Sequence, residues 1–218
     1  KIDKEKQNFR NELQYQKGRD VILSEDFQNG IPSGWKTIDA DGDGNTWNNY
    51  LAGDILGHGG EGDNCISSAS YINNVGPLTP DNYLITPKMN LPEGATLKYW
   101  VSAQDAEYAS EHYGVFVSYT EPTIDGFKDN LLFNETLTSK KLNSNRPKGT
   151  NVQGTWYQRI LELPEGTKYV AFRHYDCTNN YWLNLDDVEI SSDNGGEVIC
   201  DPISNLTANV NGNVVKLE

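Results

Sequence analysis

Leu97, Tyr99, Val101 and Ala103 alternate with residues of other character, and Tyr113, Val115, Val117 and Tyr119 repeat the pattern. A period of two places one face of a strand in a core and the other outside it. The same reading predicts strands at Val21–Leu23, Trp35–Ile38, Cys65–Ile72, Leu131–Leu137, Trp156–Leu163, Tyr169–Tyr175 and Tyr181–Ile190. Asn82–Ile85 reads as an edge or terminating strand, because Pro80 and Pro87 flank it. About ten short strands separated by turns, with no interior helical period, predict an all-β antiparallel sandwich of two sheets, jelly-roll in type.

The ends of the chain read differently. Residues 1–19 are charged and amide-rich, a linker or a marginal helix capped by Asp3 with Phe9 and Leu13 on one face. The β domain is expected over residues 20–192, followed by a polar, glycine-rich linker at 193–199. Residues 200–218 place two strands around Asn211-Gly212, the opening of a truncated fibronectin-type-III-like module. A start on Lys1 and a stop in mid-strand point to a piece of a longer protein.

Composition narrows the partners. Acidic residues outnumber basic ones 31 to 18, for a net charge of −13. Such a surface repels nucleic-acid phosphates and anionic lipid, so neither is an expected partner. No apolar run approaches a membrane span, so membrane insertion is not expected. Cys65, Cys177 and Cys200 allow one disulfide and leave an odd thiol, so their pairing stays open.

Charge is concentrated in Asp39-Ala40-Asp41-Gly42-Asp43-Gly44-Asn45. Three carboxylates alternating with small residues repel one another unless a cation joins them, and a hard, oxygen-seeking ion such as calcium is the natural guest. The spacing opens like an EF-hand, but the twelfth position is Tyr50 and the flanks read as strands, so any remaining ligands must come from elsewhere in the fold. A second acidic pair, Asp186-Asp187, interrupts an apolar strand. Adjacent strand residues face opposite ways, so one of the two points inward unless a bulge intervenes. Asp26 and Gln28 share a face of the first strand and are placed to meet it.

Catalysis is not expected. His112, His174 and Cys177 raise the thought of a Cys–His nucleophile pair, but residues three apart along a strand should point to opposite faces. No nucleophile elbow, zinc-protease helix or phosphate loop is present.

Several blocks resemble one known family. Glu25-Asp26-Phe27-Gln28-Asn29-Gly30-Ile31-Pro32 leads into Trp35-Lys36-Thr37-Ile38 and the acidic loop. Leu78-Thr79-Pro80-Asp81-Asn82-Tyr83-Leu84-Ile85-Thr86-Pro87, Ala103-Gln104-Asp105-Ala106-Glu107-Tyr108 and Leu185-Asp186-Asp187-Val188-Glu189-Ile190 continue it. Together they resemble the cleaved adhesin domain of gingipain proteases and related haemagglutinins. The resemblance implies a jelly roll with two calcium ions on a secreted or surface-associated bacterial protein. It implies one ion at Asp39, Asp41, Asp43 and the carbonyl of Asn45, joined by Gly62 and Asn64. It implies another at Asp26, Gln28, the Asp81-Asn82 corner, Asp186 and Asp187. Implied partners are host extracellular or cell-surface proteins, haemoglobin and matrix proteins among them. The alternatives are a carbohydrate-binding module of a larger secreted enzyme, using exposed aromatics among Tyr108, Tyr113, Tyr181 and Trp182, and a structural spacer.

Overall fold

The structure is a computed structural model, and it describes residues 19–49, 56–139, 153–193, 197–198, 208–211 and 214–217. The expected N-terminal linker and most of the 193–199 linker lie outside the described residues.

Two five-stranded antiparallel sheets carry the domain. The first joins β1 (Asp20–Glu25), β13 (Trp182–Ser192), β8 (Thr96–Ala103) and β11 (Tyr157–Glu162), with β3 (Ile66–Ala69) also paired to β13. The second runs β10 (Leu131–Thr136), β9 (His112–Ser118), β12 (Tyr169–His174), β6 (Asn82–Ile85) and β2 (Lys36–Asp39). Two-residue strands β4 (Tyr71–Ile72) and β5 (Gly76–Pro77) form a small ladder, and β7 (Met89–Asn90) pairs with β14 (Glu197–Val198). Near the C-terminus, β15 (Ala208–Asn211) pairs with β16 (Val214–Leu217), the hairpin expected around Asn211-Gly212.

The alternation read from the sequence is what builds the core. Leu97, Tyr99 and Val101 of β8 and Leu183 and Leu185 of β13 meet Val115 and Val117 of β9 and Phe172 of β12 between the sheets. Tyr99 packs edge-on against Phe172 and Tyr113, and its hydroxyl bonds that of Tyr113 at 2.9 Å. The outer face of the second sheet carries its own small core, with Phe127 covering Tyr83, Ile85, Phe116 and Ala171. Phe127 comes from a one-turn helix, α1 (Ile124–Phe127), capped by the Thr123 hydroxyl. No interior helix was expected from the sequence, because one turn is too short to show a 3.6-residue period.

Two strands differ from expectation in ways that matter for the site. The strand expected over Cys65–Ile72 ends at Ala69, and Ser70 turns the chain away into β4. In β13 the pairing with β8 shifts between Asp186 and Glu189, and Asp187 adopts φ +48°. This is a β-bulge, with an extra residue on one strand re-aiming its side chains. It falls where β13 exchanges neighbours: β3 pairs with Trp182–Leu185, and β1 pairs from Val188 onward.

Candidate metal centre and adjoining surfaces

The acidic loop leaves β2 at Asp39 and curls back immediately. Asp39 accepts from the amides of Gly42 at 2.7 Å and Gly44 at 2.9 Å, while Asp43 accepts from Asn45 at 2.7 Å. Gly42 and Gly44 have φ of +74° and +84°, a left-handed backbone that glycine adopts without strain. Carboxylate oxygens of Asp39, Asp41 and Asp43 lie within 4.8 Å of one another. A hydrogen bond with Asp41, helped by the Gly44 and Gly42 amides, holds Asp39 below the usual carboxylate range. Partial burial, with Asp39 and Asp43 alongside, pushes Asp41 up to about 6. The loop thus stores repulsion among hard oxygen donors, and the donor set fits calcium.

A second carboxylate cluster forms around Asp186. Asp186 pairs across the sheet with Trp100, so both stand on the outer face of the first sheet. It is nevertheless fully buried, because the loop from residue 56 to 65 folds over it. Asp186 Oδ2 accepts from the His58 amide at 2.7 Å, and Oδ1 accepts from the Asp187 amide at 2.8 Å. The His58 ring stacks on Trp100 with centroids 3.6 Å apart and meets Asp187 Oδ2 through Nδ1 at 3.0 Å. Burial pushes Asp186 up to about 7 despite the two donated amides, with the charges of Asp187 and Asp63 adding to the shift. Asp63 organises the covering loop: its Oδ2 accepts from the Gly59 amide at 2.5 Å and its carbonyl from Gly57 at 2.8 Å. Sequence reading did not single out His58 or Asp63; the glycines at 57, 59, 60 and 62 around them were the available signal.

The structure groups the remaining expected ligands differently from the sequence reading. Gln28 meets Gly62 and Asn64: its Nε2 donates to the Gly62 carbonyl at 2.9 Å, its Oε1 accepts from the Asn64 amide at 3.0 Å, and Asn64 Nδ2 donates to its carbonyl at 2.9 Å. Asp26 is exposed and accepts from the Gln28 amide at 3.0 Å. The Asp81 carboxylate is bound by Arg173. Asn82 lies opposite Asp39 in the ladder, and its Oδ1 is buried with no hydrogen-bond partner.

A third cluster corrects the expectation about His174 and Cys177. Their atoms Nε2 and Sγ lie 3.1 Å apart. β12 ends at His174, and Asp176 at φ +52° turns the chain back, so strand alternation no longer applies at Cys177. Glu111 Oε2 stands 3.0 Å from the same nitrogen and 3.4 Å from the sulfur. Because Glu111 and Cys177 share Nε2, the imidazole cannot pass a proton between them through its two nitrogens, as a nucleophile triad requires. Burial and the Glu111 charge push the Cys177 thiol well above its ordinary range, which disfavours the thiolate form a nucleophile needs. Cys65 is likewise a free thiol, pushed up to about 12 by burial.

Beside this cluster lies a cleft of about 340 Å³ lined by Tyr71, Asn73, Asp105, Tyr108, Asn180 and Tyr181. Tyr108 is 54% exposed and Tyr181 half-buried, whereas Tyr113 and Trp182, the other two candidates, are core residues.

A sequence model of the Cleaved Adhesin Domain matches residues 20–190, the span of both sheets and all three clusters. The chain belongs to the cleaved adhesin domain family. It is 55% identical to Hemagglutinin A of Porphyromonas gingivalis over 181 residues, which cover 81% of this chain and 7% of that protein. Lys-gingipain W83 of the same organism is 53% identical over 181 residues, covering 81% of this chain and 10% of that protein. The K3 cleaved adhesin domain of Lys-gingipain from P. gingivalis superposes with a TM-score of 0.71 at 54% identity, over 80% of this chain and 99% of that one. The K2 cleaved adhesin domain gives 0.63 at 34% identity, over 77% and 96%. The chain therefore spans a tenth or less of these curated relatives. It is an adhesin-type module of the haemagglutinin and gingipain kind, without a catalytic role of its own. Among the described residues, no helix is long and apolar enough to cross a membrane.

Proposed function

We propose that this cleaved adhesin domain is a calcium-braced jelly-roll module of a secreted or cell-surface bacterial protein, holding loops in shape for contact with host proteins or cell surfaces. The observation that carries the reading is the crowding of Asp39, Asp41 and Asp43, whose repulsion a divalent cation would relieve. Asn45 would add its carbonyl to that set. A second ion is proposed at the Asp186 corner, where Asp63 and Asp187 add carboxylates close to the Gln28–Gly62–Asn64 mesh. Bound calcium would neutralise the carboxylates; the protein's own part is to bring the acidic loop and the 56–65 loop to them. Calorimetric melting with calcium and with chelator at matched ionic strength tests this. A higher melting temperature with calcium is expected, and identical melts would overturn the reading.

The tyrosine cleft favours a second reading, recognition of neutral glycans. Aromatic faces stack on the apolar faces of sugar rings, while amide and carboxylate groups bond hydroxyls. A neutral-glycan array probed with the wild-type domain and with Tyr108→Ala separates the readings. Signals lost in the variant support the cleft, and an array without signals rejects it.

A further inference from the structure

Glu111, His174 and Cys177 come from three separate places in the chain. Glu111 precedes β9, His174 ends β12, and Cys177 stands in the loop that follows. One donor atom of each converges on a single point: Sγ to Nε2 is 3.1 Å, Nε2 to Oε2 is 3.0 Å and Sγ to Oε2 is 3.4 Å. Glu111 and His174 have no solvent exposure. Cys177 is half-buried, its Sγ directed at these two groups, and it also lines a surface groove with Thr79, Arg173 and Asp176.

The far sides of both buried groups are already held. His174 Nδ1 bonds Ser68 Oγ at 2.8 Å, and Glu111 Oε1 accepts from Ser70 Oγ at 2.9 Å. Outer contacts of this kind fix the orientation of metal ligands and leave the inner atoms directed at the ion. A buried carboxylate also requires compensation, which a cation supplies most fully.

We propose that Glu111, His174 and Cys177 form a site for one divalent transition metal, zinc being the best chemical match, with its remaining position open toward the groove. Sulfur, imidazole nitrogen and a carboxylate oxygen make a mixed donor set suited to zinc and unsuited to calcium. Tetrahedral zinc with ordinary bond lengths separates such donors by about 3.3–3.6 Å. Loading therefore widens the triangle by a few tenths of an ångström: rotation of the loop residue Cys177 opens the two sides that contain Sγ, and a small shift of the Glu111 carboxylate opens the Nε2–Oε2 side. The thiol proton leaves to solvent as the S–metal bond forms, and nothing is oxidised or reduced. This site is separate from the acidic loop, and its metal would tie down the 175–181 loop that carries Asn180 and Tyr181 into the tyrosine cleft.

The test uses Zn²⁺ and Co²⁺ alone, added to the full chain with calcium in excess and a non-chelating reductant present. One equivalent of Zn²⁺ should bind, and Co²⁺ should produce a thiolate-to-cobalt charge-transfer band. Cys177→Ser should remove that band and weaken Zn²⁺ binding about tenfold or more, with Asp41→Ala retaining both. Peptide mapping after alkylation gives a readout independent of any variant: Zn²⁺ should protect Cys177 in the wild type. A folded wild type that shows no cobalt band and no protection would overturn the proposal and leave a purely hydrogen-bonded network. Zn²⁺ affinity unchanged in a folded Cys177→Ser protein would overturn it equally.

Discussion

Arg173 grips Asp81 through two parallel bonds, Nε to Oδ1 at 2.7 Å and Nη2 to Oδ2 at 2.8 Å. The guanidinium also lies over the rings of Tyr175 at 4.3 Å and Tyr83 at 5.1 Å. A carboxylate that the family resemblance implies among calcium ligands is thus also answered by a cation from the protein itself. The Asp81 carbonyl in turn accepts from the Ala40 amide at 2.9 Å, so the pair anchors the first residue beyond β2 at the base of the acidic loop.

Arg173→Lys should therefore destabilise the domain. Lysine keeps the charge but loses the planar fork and much of the ring contact. The pair is partly exposed, which lowers its worth, so a loss of about 1–2 kcal/mol is expected. Urea unfolding with calcium present checks it, and an unchanged midpoint would show that charge alone matters.

Asp41→Asn should change sign with calcium. The raised Asp41 value means that its ionised form is disfavoured in the folded loop, so without calcium the variant should melt at or above the wild type. With calcium at about a hundred times its dissociation constant, the wild type gains about 2.7 kcal/mol, and the variant should gain less. For a chain of this size that is worth roughly 2–4 °C per kcal/mol in melting temperature. The crossing of the two orders is the diagnostic result; parallel curves would contradict it.

Asp186 predicts the pH dependence of the calcium-free protein. Its folded value of about 7 lies above the unfolded carboxylate value, so between them the native state binds more protons. Stability should then fall as pH rises from about 4 to about 7 and level off above. The groups facing Asp186 are Asp63, Asp187, His58 and the Cys65 thiol. Melts in chelator at pH 5.5 and 8 should show this slope in the wild type and a smaller one in Asp186→Asn; equal slopes would assign the effect elsewhere.

Gly57→Ala should open the loop over Asp186 without unfolding the sheets. A Cβ there would meet Asp63 Oδ2 at 2.6 Å and the Asn64 carbonyl at 2.7 Å. Faster limited proteolysis within residues 56–65, with little change in the global unfolding midpoint, is the expected result. Unaltered cleavage would show that the loop absorbs the methyl group.

What the sequence conveyed follows from how local each signal was. Leu97, Tyr99 and Val101 announced their strand because alternation repeats within a few residues. Asp39, Asp41 and Asp43 announced their loop because their crowding is written in consecutive positions. Asp186 looked like a core problem, yet it is buried by a glycine-rich loop more than a hundred residues away that has no periodicity to read. The Asp187 bulge was foreseen only as a condition, since bulges carry no fixed residue type. Glu111 gave no signal, and Cys177 gave the wrong one, because its side chain is aimed by the end of a strand rather than by the strand itself.

Ser70 has a wider consequence. Its single hydroxyl donates to Glu111 and receives the amides of Asn180 at 3.0 Å and Tyr181 at 3.2 Å. The contacts to the loop are to main-chain atoms, which every residue except proline provides. The exposed side chain at 178 can therefore be rewritten while the backbone keeps its path, whereas Asn180 also ties the loop through Nδ2 to the Ser110 and Thr178 carbonyls, so that new specificities can be explored on an unchanged frame, much as interchangeable bits fit one chuck.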